Sequence, residues 1–279
     1  GGMLGAEFSA DASGYFRVDK IFAGENWNPE NRSPLTEPGV KVSEGEYLIA
    51  IDQVDARSVS NLYQLLENKA ERVVELKINS KPTDQGARTV RVKTISSEEN
   101  LRYLDWVAQR RAKVEKLGGG RIGYMHIPNT SQNGNRELNK WMAPLAHYEA
   151  LIIDDRYNGG GFIPDRMIEI LARTPLNYWK RRGLEPQPTP GVMHRGPKAM
   201  LINGLSSSGG DALPYFFRKL KLGTLIGTRT WGGLIGISGN PSVVDGGTLL
   251  AANFRFMDTN NQWAVENEGV APDIEVVDR

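Results

Sequence analysis

The chain has 279 residues, enough for about two domains at roughly 150 each, with 39% hydrophobic and 24% charged residues, as in ordinary globular proteins. Its 34 Lys and Arg against 33 Asp and Glu leave a net charge of +1, which gives no broad electrostatic footprint for nucleic acid or an anionic membrane. With no cysteine, disulfides, thiolate nucleophiles, iron–sulfur clusters and cysteine zinc sites are excluded. No apolar run approaches the ~18–20 residues of a membrane helix, and the opening Gly1-Gly2-Met3-Leu4 lacks the regions of a signal peptide, so a soluble segment is expected.

Residues 1–95 read as a small β-rich module, with strand-like runs at 3–8, 15–22, 47–52, 73–79 and 89–94. Residues 26–39, holding Pro29, Pro34 and Pro38, interrupt it as an irregular insertion, and 59–66 carries apolar residues at helical spacing. Residues 96–120 read as a connecting helix. Ser96 and Glu99 form a Ser-x-x-Glu capping box, Leu101, Leu104, Val107, Val114 and Leu117 make an apolar stripe, and Gly118 to Gly120 end it. Residues 121–279 alternate: strand 122–127, helix 136–147, strand 150–154, helix 164–172, strand 198–203, helix 211–220 and strand 224–227. Leu151-Ile152-Ile153 is apolar without alternation, which predicts a sheet covered on both faces, as in α/β folds. In such sheets ligand sites gather beyond the strand carboxyl ends, where two glycine-rich loops fall, at 154–162 and 203–211.

Ser206-Ser207-Ser208-Gly209-Gly210-Asp211 follows a strand and opens a helix, so a serine there meets the helix N-terminal field and free backbone N–H groups, as an acyl-transfer nucleophile needs. The same run also suits a loop that only caps the helix. Asp155-Arg156-Tyr157-Asn158-Gly159-Gly160-Gly161 leaves backbone free to approach a ligand and can supply half an oxyanion hole, or serve merely as a turn. Gly118-x-Gly120-x-x-Gly123 follows a helix and opens a strand, the reverse of the dinucleotide-binding context. No Walker A or His-Glu-x-x-His sequence occurs. His126 in a strand, His147 at a helix end and His194 in a proline-rich stretch read as structural, and Lys180-Arg181-Arg182 as a solvated face. Glu266 is either a solvated carboxylate before a turn or one that orients an imidazole.

Taken in order, these motifs resemble the tricorn proteases and, behind them, the tail-specific or C-terminal-processing serine peptidases. Gly2-Met3-Leu4-Gly5-Ala6, Gly24-Glu25-Asn26-Trp27, Ser33-Pro34-Leu35 and Pro38-Gly39-Val40 look like the tricorn PDZ domain. The Asp155 to Gly161 run, Ser207-Ser208-Gly209-Gly210-Asp211, Arg229-Thr230-Trp231-Gly232-Gly233 and Val265-Glu266-Asn267 look like its catalytic subdomain. The resemblance implies a PDZ-like domain followed by an α/β core of the ClpP/crotonase type. It implies Ser208 as nucleophile, the N–H groups of Gly161 and Gly209 as oxyanion hole, and Glu266 acting through a serine on a histidine. The family's Ser-His pair lies upstream of the PDZ domain, and the lysine of the tail-specific branch falls on Gly233, so little or no activity is expected of these residues alone. The loop at Leu4, Gly5 and Ala6 would either capture a peptide's terminal carboxylate or belong to a domain that serves as a structural spacer, with the 26–39 insertion placed to cover the groove. The resemblance further implies peptide substrates, no metal or cofactor, a hexameric full-length protein and a cytoplasmic location. A non-catalytic peptide- or ligand-binding protein on the same fold is the rival expectation.

Overall fold

The structure, a computed structural model, describes residues 1–277, so Asp278 and Arg279 of the predicted core lie outside the described residues. Two compact units divide the chain, Gly1–Gln109 and Arg110–Arg279.

In the first unit strands β1 (Ala6–Ala10), β2 (Phe16–Ile21), β3 (Tyr47–Ile51), β4 (Val54–Asp55), β5 (Val73–Asn79) and β6 (Arg88–Lys93) form an antiparallel sheet of order β1-β2-β3-β5-β6, with β4 beside β3. Strand period governs it: Val74, Leu76 and Ile78 of β5 are buried, while Val73, Glu75 and Lys77 between them face outward or lie half-buried. These side chains join Leu4, Leu48, Ile51, Leu62 and Leu66 in one apolar core. The helical spacing at 59–66 resolves into 3-10 turns, Ala56–Ser58 and Leu62–Leu66, the second burying Leu62 and Leu66. Met3 and Ile95 exchange backbone hydrogen bonds of 2.8 and 3.0 Å, which folds residues 96–98 back beside the loop at Leu4 to Ala6.

Helix α1 (Glu99–Leu117) begins three residues later than its capping box suggests. The serine that accepts from the Glu99 N–H is Ser97, at 3.2 Å, because a cap hydroxyl reaches the N–H two residues ahead. The helix crosses the boundary between the compact units.

The second unit contains β7 (Ile122–His126), α2 (Gln132–Leu145), β8 (Ala150–Asp154), α3 (Pro164–Leu171), the pair β9 (Asn177–Trp179) and β10 (Gln187–Thr189), and β11 (Lys198–Ile202). There follow α4 (Gly209–Lys219), β12 (Gly223–Gly227), the pair β13 (Ile235–Gly236) and β14 (Phe254–Arg255), and β15 (Ile274–Glu275). A parallel sheet of order β15-β12-β11-β8-β7 results. Leu151, Ile153, Met200, Ile202 and Leu225 pack in one core with Leu138 and Met142 of α2, Met167 and Ile168 of α3, and Leu213 and Phe217 of α4. On the opposite sheet face Ile152, Leu201 and Ile226 are half-buried, while Tyr124 beside Ile152 is buried. The helices draw their apolar faces to the Leu151 and Ile153 side, so an unbroken apolar run here marks one full and one partial cover. Among the described residues no helix is long and apolar enough to cross a membrane.

Phe217 has no exposed surface and anchors the helix that starts at the serine cluster. Phe217→Ala should therefore lower unfolding free energy by about 3–5 kcal/mol in a urea melt, whereas a loss below about 1 kcal/mol would mean the helix is not fixed by this side chain.

Candidate active site

Strands β8 and β11 run parallel with Leu201 beside Asp154, so their carboxyl ends deliver loops 155–162 and 203–211 side by side. Buried Asn158 ties the loops. Its Nδ2 donates to Asp155 Oδ1 and its Oδ1 accepts from the Gly160 N–H, each at 2.8 Å, while its carbonyl accepts from the Ser207 N–H at 2.9 Å. Asn203 answers from the other side, with Oδ1 accepting from the Tyr157 N–H at 3.1 Å.

The three serines then separate by their hydroxyls. Ser206 is buried and donates to the Asp155 carbonyl at 2.8 Å, and Ser207 lies 3.5 Å from the Asn158 carbonyl. Ser208 makes no side-chain cap bond and its hydroxyl has no hydrogen-bond partner among the described residues. It sits at the N-terminus of α4 with φ 56 and ψ −116, a conformation that costs a non-glycine residue on the order of 1–3 kcal/mol and persists only where its surroundings enforce it. The surroundings are visible: a Cβ on Gly160, itself at φ +81, would stand 2.7 Å from both Ser208 Cβ and the Ser207 carbonyl oxygen.

Gly161 and Gly209 approach each other as only glycines can. A Cβ on Gly209 would lie 2.9 Å from the Gly161 nitrogen, 2.4 Å from its oxygen and 1.9 Å from Thr130 Oγ1. Neither N–H donates to an acceptor among the described residues, so two uncommitted donors flank Ser208.

Asp211, one turn into α4, is buried. Its Oδ1 accepts from the Thr230 hydroxyl at 2.5 Å and the Gly232 N–H at 2.8 Å, while Oδ2 makes no hydrogen bond among the described residues. Burial pushes its carboxyl above the ordinary aspartate range, and the charge of Glu266 adds to the rise. Glu266 stands in a turn flanked by Val265 at φ 71 and Asn267 at φ 63, and its Oε2 is likewise buried with no partner. Asp211 Oδ2 and Glu266 Oε2 are thus two buried carboxyl oxygens without a hydrogen bond among the described residues.

No base reaches Ser208 among the described residues. His126 Nε2 meets the Arg156 carbonyl at 2.8 Å, His194 Nε2 meets the Tyr148 carbonyl at 3.0 Å, and burial lowers the pKa of both. His147 stacks on Tyr148. A Cβ on Gly233 would meet the exposed Trp231 ring, which would have to move for any side chain there. Among the described residues no group of His, Asp and Glu could hold a metal. In the loop at Leu4, Gly5 and Ala6 the Gly5 and Ala6 N–H groups donate to Glu98 Oε1, at 2.9 and 3.3 Å. Asn158, Asp211 and Glu98 escape a reading of motifs. An Asn before three glycines and an Asp after two look like turn and cap residues, and nothing local marks Glu98.

Two consequences can be measured. Gly160→Ala should destabilise the chain by about 1–3 kcal/mol, while Gly159→Ala, with nothing within 4 Å of its Cβ, should leave the urea midpoint nearly unchanged; equal effects would contradict the loop contact. Asp155 is buried, and burial raises its carboxyl well above the ordinary range despite the Asn158 hydrogen bond. The stability this lends is complete below about pH 4 and is lost as pH rises through the raised folded value. Asp155→Asn should therefore give a flatter stability–pH curve above pH ~4 than the parent chain, and parallel curves would show that Asp155 ionises as readily folded as unfolded.

Residues 2–97 match the family model for the tricorn protease PDZ domain, and residues 121–276 that for peptidase family S41. Tricorn protease homolog 1 of Streptomyces coelicolor is 36% identical over 279 residues, covering 100% of this chain and 26% of the relative. The tricorn protease of Thermoplasma acidophilum is 35% identical over 280 residues, covering 99% of this chain and 25% of its own length. The crystal structure of the tricorn protease superposes with a TM-score of 0.90 at 33% identity, over 99% of this chain and 27% of that one. The chain thus spans about a quarter of the length of these relatives. It belongs to peptidase family S41, with a PDZ domain of the tricorn protease type preceding the S41 core.

Proposed function

We propose that this chain carries the nucleophile, oxyanion hole and orienting carboxylate of a tricorn-type serine peptidase, with the general base supplied by residues outside the 279. The observation that carries the reading is Ser208: alone among the three serines it has an uncommitted hydroxyl, and it is held at positive φ on the first turn of α4. Ser208 Oγ attacks the scissile carbonyl, its proton passes to an imidazole, and the carbonyl oxygen takes the negative charge between the Gly161 and Gly209 N–H groups. Collapse breaks the C–N bond, the imidazole returns the proton to the leaving amine, and water hydrolyses the acyl-enzyme by the same steps in reverse. Glu266 Oε2, buried and unpartnered, would accept from the hydroxyl or imidazole that enters with the base. Asp211, with its pKa raised by burial, can share the donor or stay protonated beside Glu266. The N-terminal unit would hold a peptide by its terminal carboxylate at Gly5 and Ala6, with assembly of the longer protein into a homo-oligomer.

A second reading, a peptide-binding protein without catalysis, is favoured by one observation: no described base touches Ser208. Supplying the upstream Ser-His segment, fused or in trans, separates the two. Peptide turnover should appear and fall at least about 1,000-fold in Ser208→Ala and by a similar order in Glu266→Gln. Saturable peptide binding without turnover would establish the binding protein instead.

A further inference from the structure

Glu98 belongs to no motif, yet it is among the most completely bonded carboxylates of the N-terminal unit. It is buried, its Oε1 accepts from the Gly5 and Ala6 N–H groups, and its Oε2 accepts from Arg102 Nη2 at 3.0 Å and Nε at 3.2 Å. Two successive backbone N–H groups converging on one carboxylate oxygen form the arrangement that recognises a chain terminus. Leu101, one turn further along α1, brings an aliphatic side chain to the same loop, with Cδ1 3.1 Å from where a Cβ on Gly5 would stand. A carboxylate followed by an apolar side chain thus occupies the loop from inside the chain.

The neighbourhood is that of an extended-peptide groove. β1 is the edge of its sheet, paired with β2 on one side only, apart from the Met3–Ile95 bridge before it. The turn Leu62–Leu66 lies alongside, with the Gly2 N–H donating to the Leu66 carbonyl at 2.7 Å. Tyr63 of that turn has its hydroxyl pKa raised by burial first, with the charge of Glu98 adding to the rise. Arg102 donates to Glu7 of β1 at 2.9 Å and stacks 4.5 Å from the Phe22 ring. The segment carrying Glu98 is not sealed into the core: Ser96, Ser97, Glu99 and Asn100 line a cleft of 360 Å³.

We propose that Glu98, held by Arg102, is an internal latch that fills the carboxylate loop of the PDZ domain and must swing out before a peptide C-terminus binds at Gly5 and Ala6. The inference rests on the reading of that loop as a carboxylate site and is independent of Ser208. A latch closed nine-tenths of the time weakens apparent affinity about tenfold, because only the open fraction binds.

The test uses the whole chain and a fluorescein-labelled hexapeptide pool ending in Leu, Ile, Val, Phe, Ala or Arg, made as free acids and as amides, read by anisotropy. Glu98→Ala should bind the free-acid pool at least about tenfold more tightly than the parent chain, and the amide pool should bind neither. Glu98→Gln keeps the shape of the side chain while removing its charge and should fall between them; it carries the test if the alanine variant does not fold. Equal free-acid binding by parent and variants would overturn the latch while leaving the carboxylate loop intact. Failure of the folded variants to bind, or equal binding of acids and amides, would overturn the loop reading and the latch with it.

Discussion

The S41 core hangs on one buried amide. Asn158 joins the loop after β8 to the loop after β11 through its side chain and its carbonyl, and the two loops can meet there only because Gly160, Gly161 and Gly209 present no Cβ. That tie holds the Ser207 backbone beside Ser208, which stands at φ 56, and the Gly161 and Gly209 N–H groups have no acceptor among the described residues. Strain of order 1–3 kcal/mol at one residue is affordable because a packed helix follows, with Leu213 and Phe217 fully buried beneath it.

Polar groups without partners cluster around the same helix. Thr130 Oγ1, Asp155 Oδ2, Asp211 Oδ2 and Glu266 Oε2 are all buried and unsatisfied, in a fold where such groups ordinarily find a hydrogen bond. Burial keeps Asp155 and Asp211 toward their protonated forms, which lessens the cost of placing several acids near one another. Glu266 differs in being only partly buried as a residue, on a turn flanked by two positive-φ residues, Val265 and Asn267. On the proposed reading, a Ser-His pair from outside the described residues would complete hydrogen bonds at Asp211 Oδ2 and Glu266 Oε2.

Much of this was legible in the residues because the α/β unit obeys simple periodicities. Strands 150–154 and 198–202 announce themselves as short apolar runs, and α4 begins where two glycines and an aspartate follow the serines. Boundaries drifted where caps are ambiguous: Ser96 and Ser97 both precede Glu99, and only the backbone path selects Ser97. The resolution of 59–66 into 3-10 turns depends on packing of Leu62 and Leu66, which local spacing does not encode. The candidate site shows in the sequence as a serine run before two glycines, whereas Asp211 and Glu266, whose charge acts on it, stand 55 positions apart in the chain. Glu98 lies 93 residues from Gly5, a separation no motif bridges.

Labelling by a fluorophosphonate as a function of pH, followed by intact mass with Ser208→Ala as control, tests the central claim that Ser208 is positioned but not activated within these residues. The expected result is slow modification that rises only with hydroxide, with no inflection near pH ~7 where an imidazole would titrate. Fast, stoichiometric labelling with a neutral inflection, abolished in Ser208→Ala, would contradict it and require a base inside the chain.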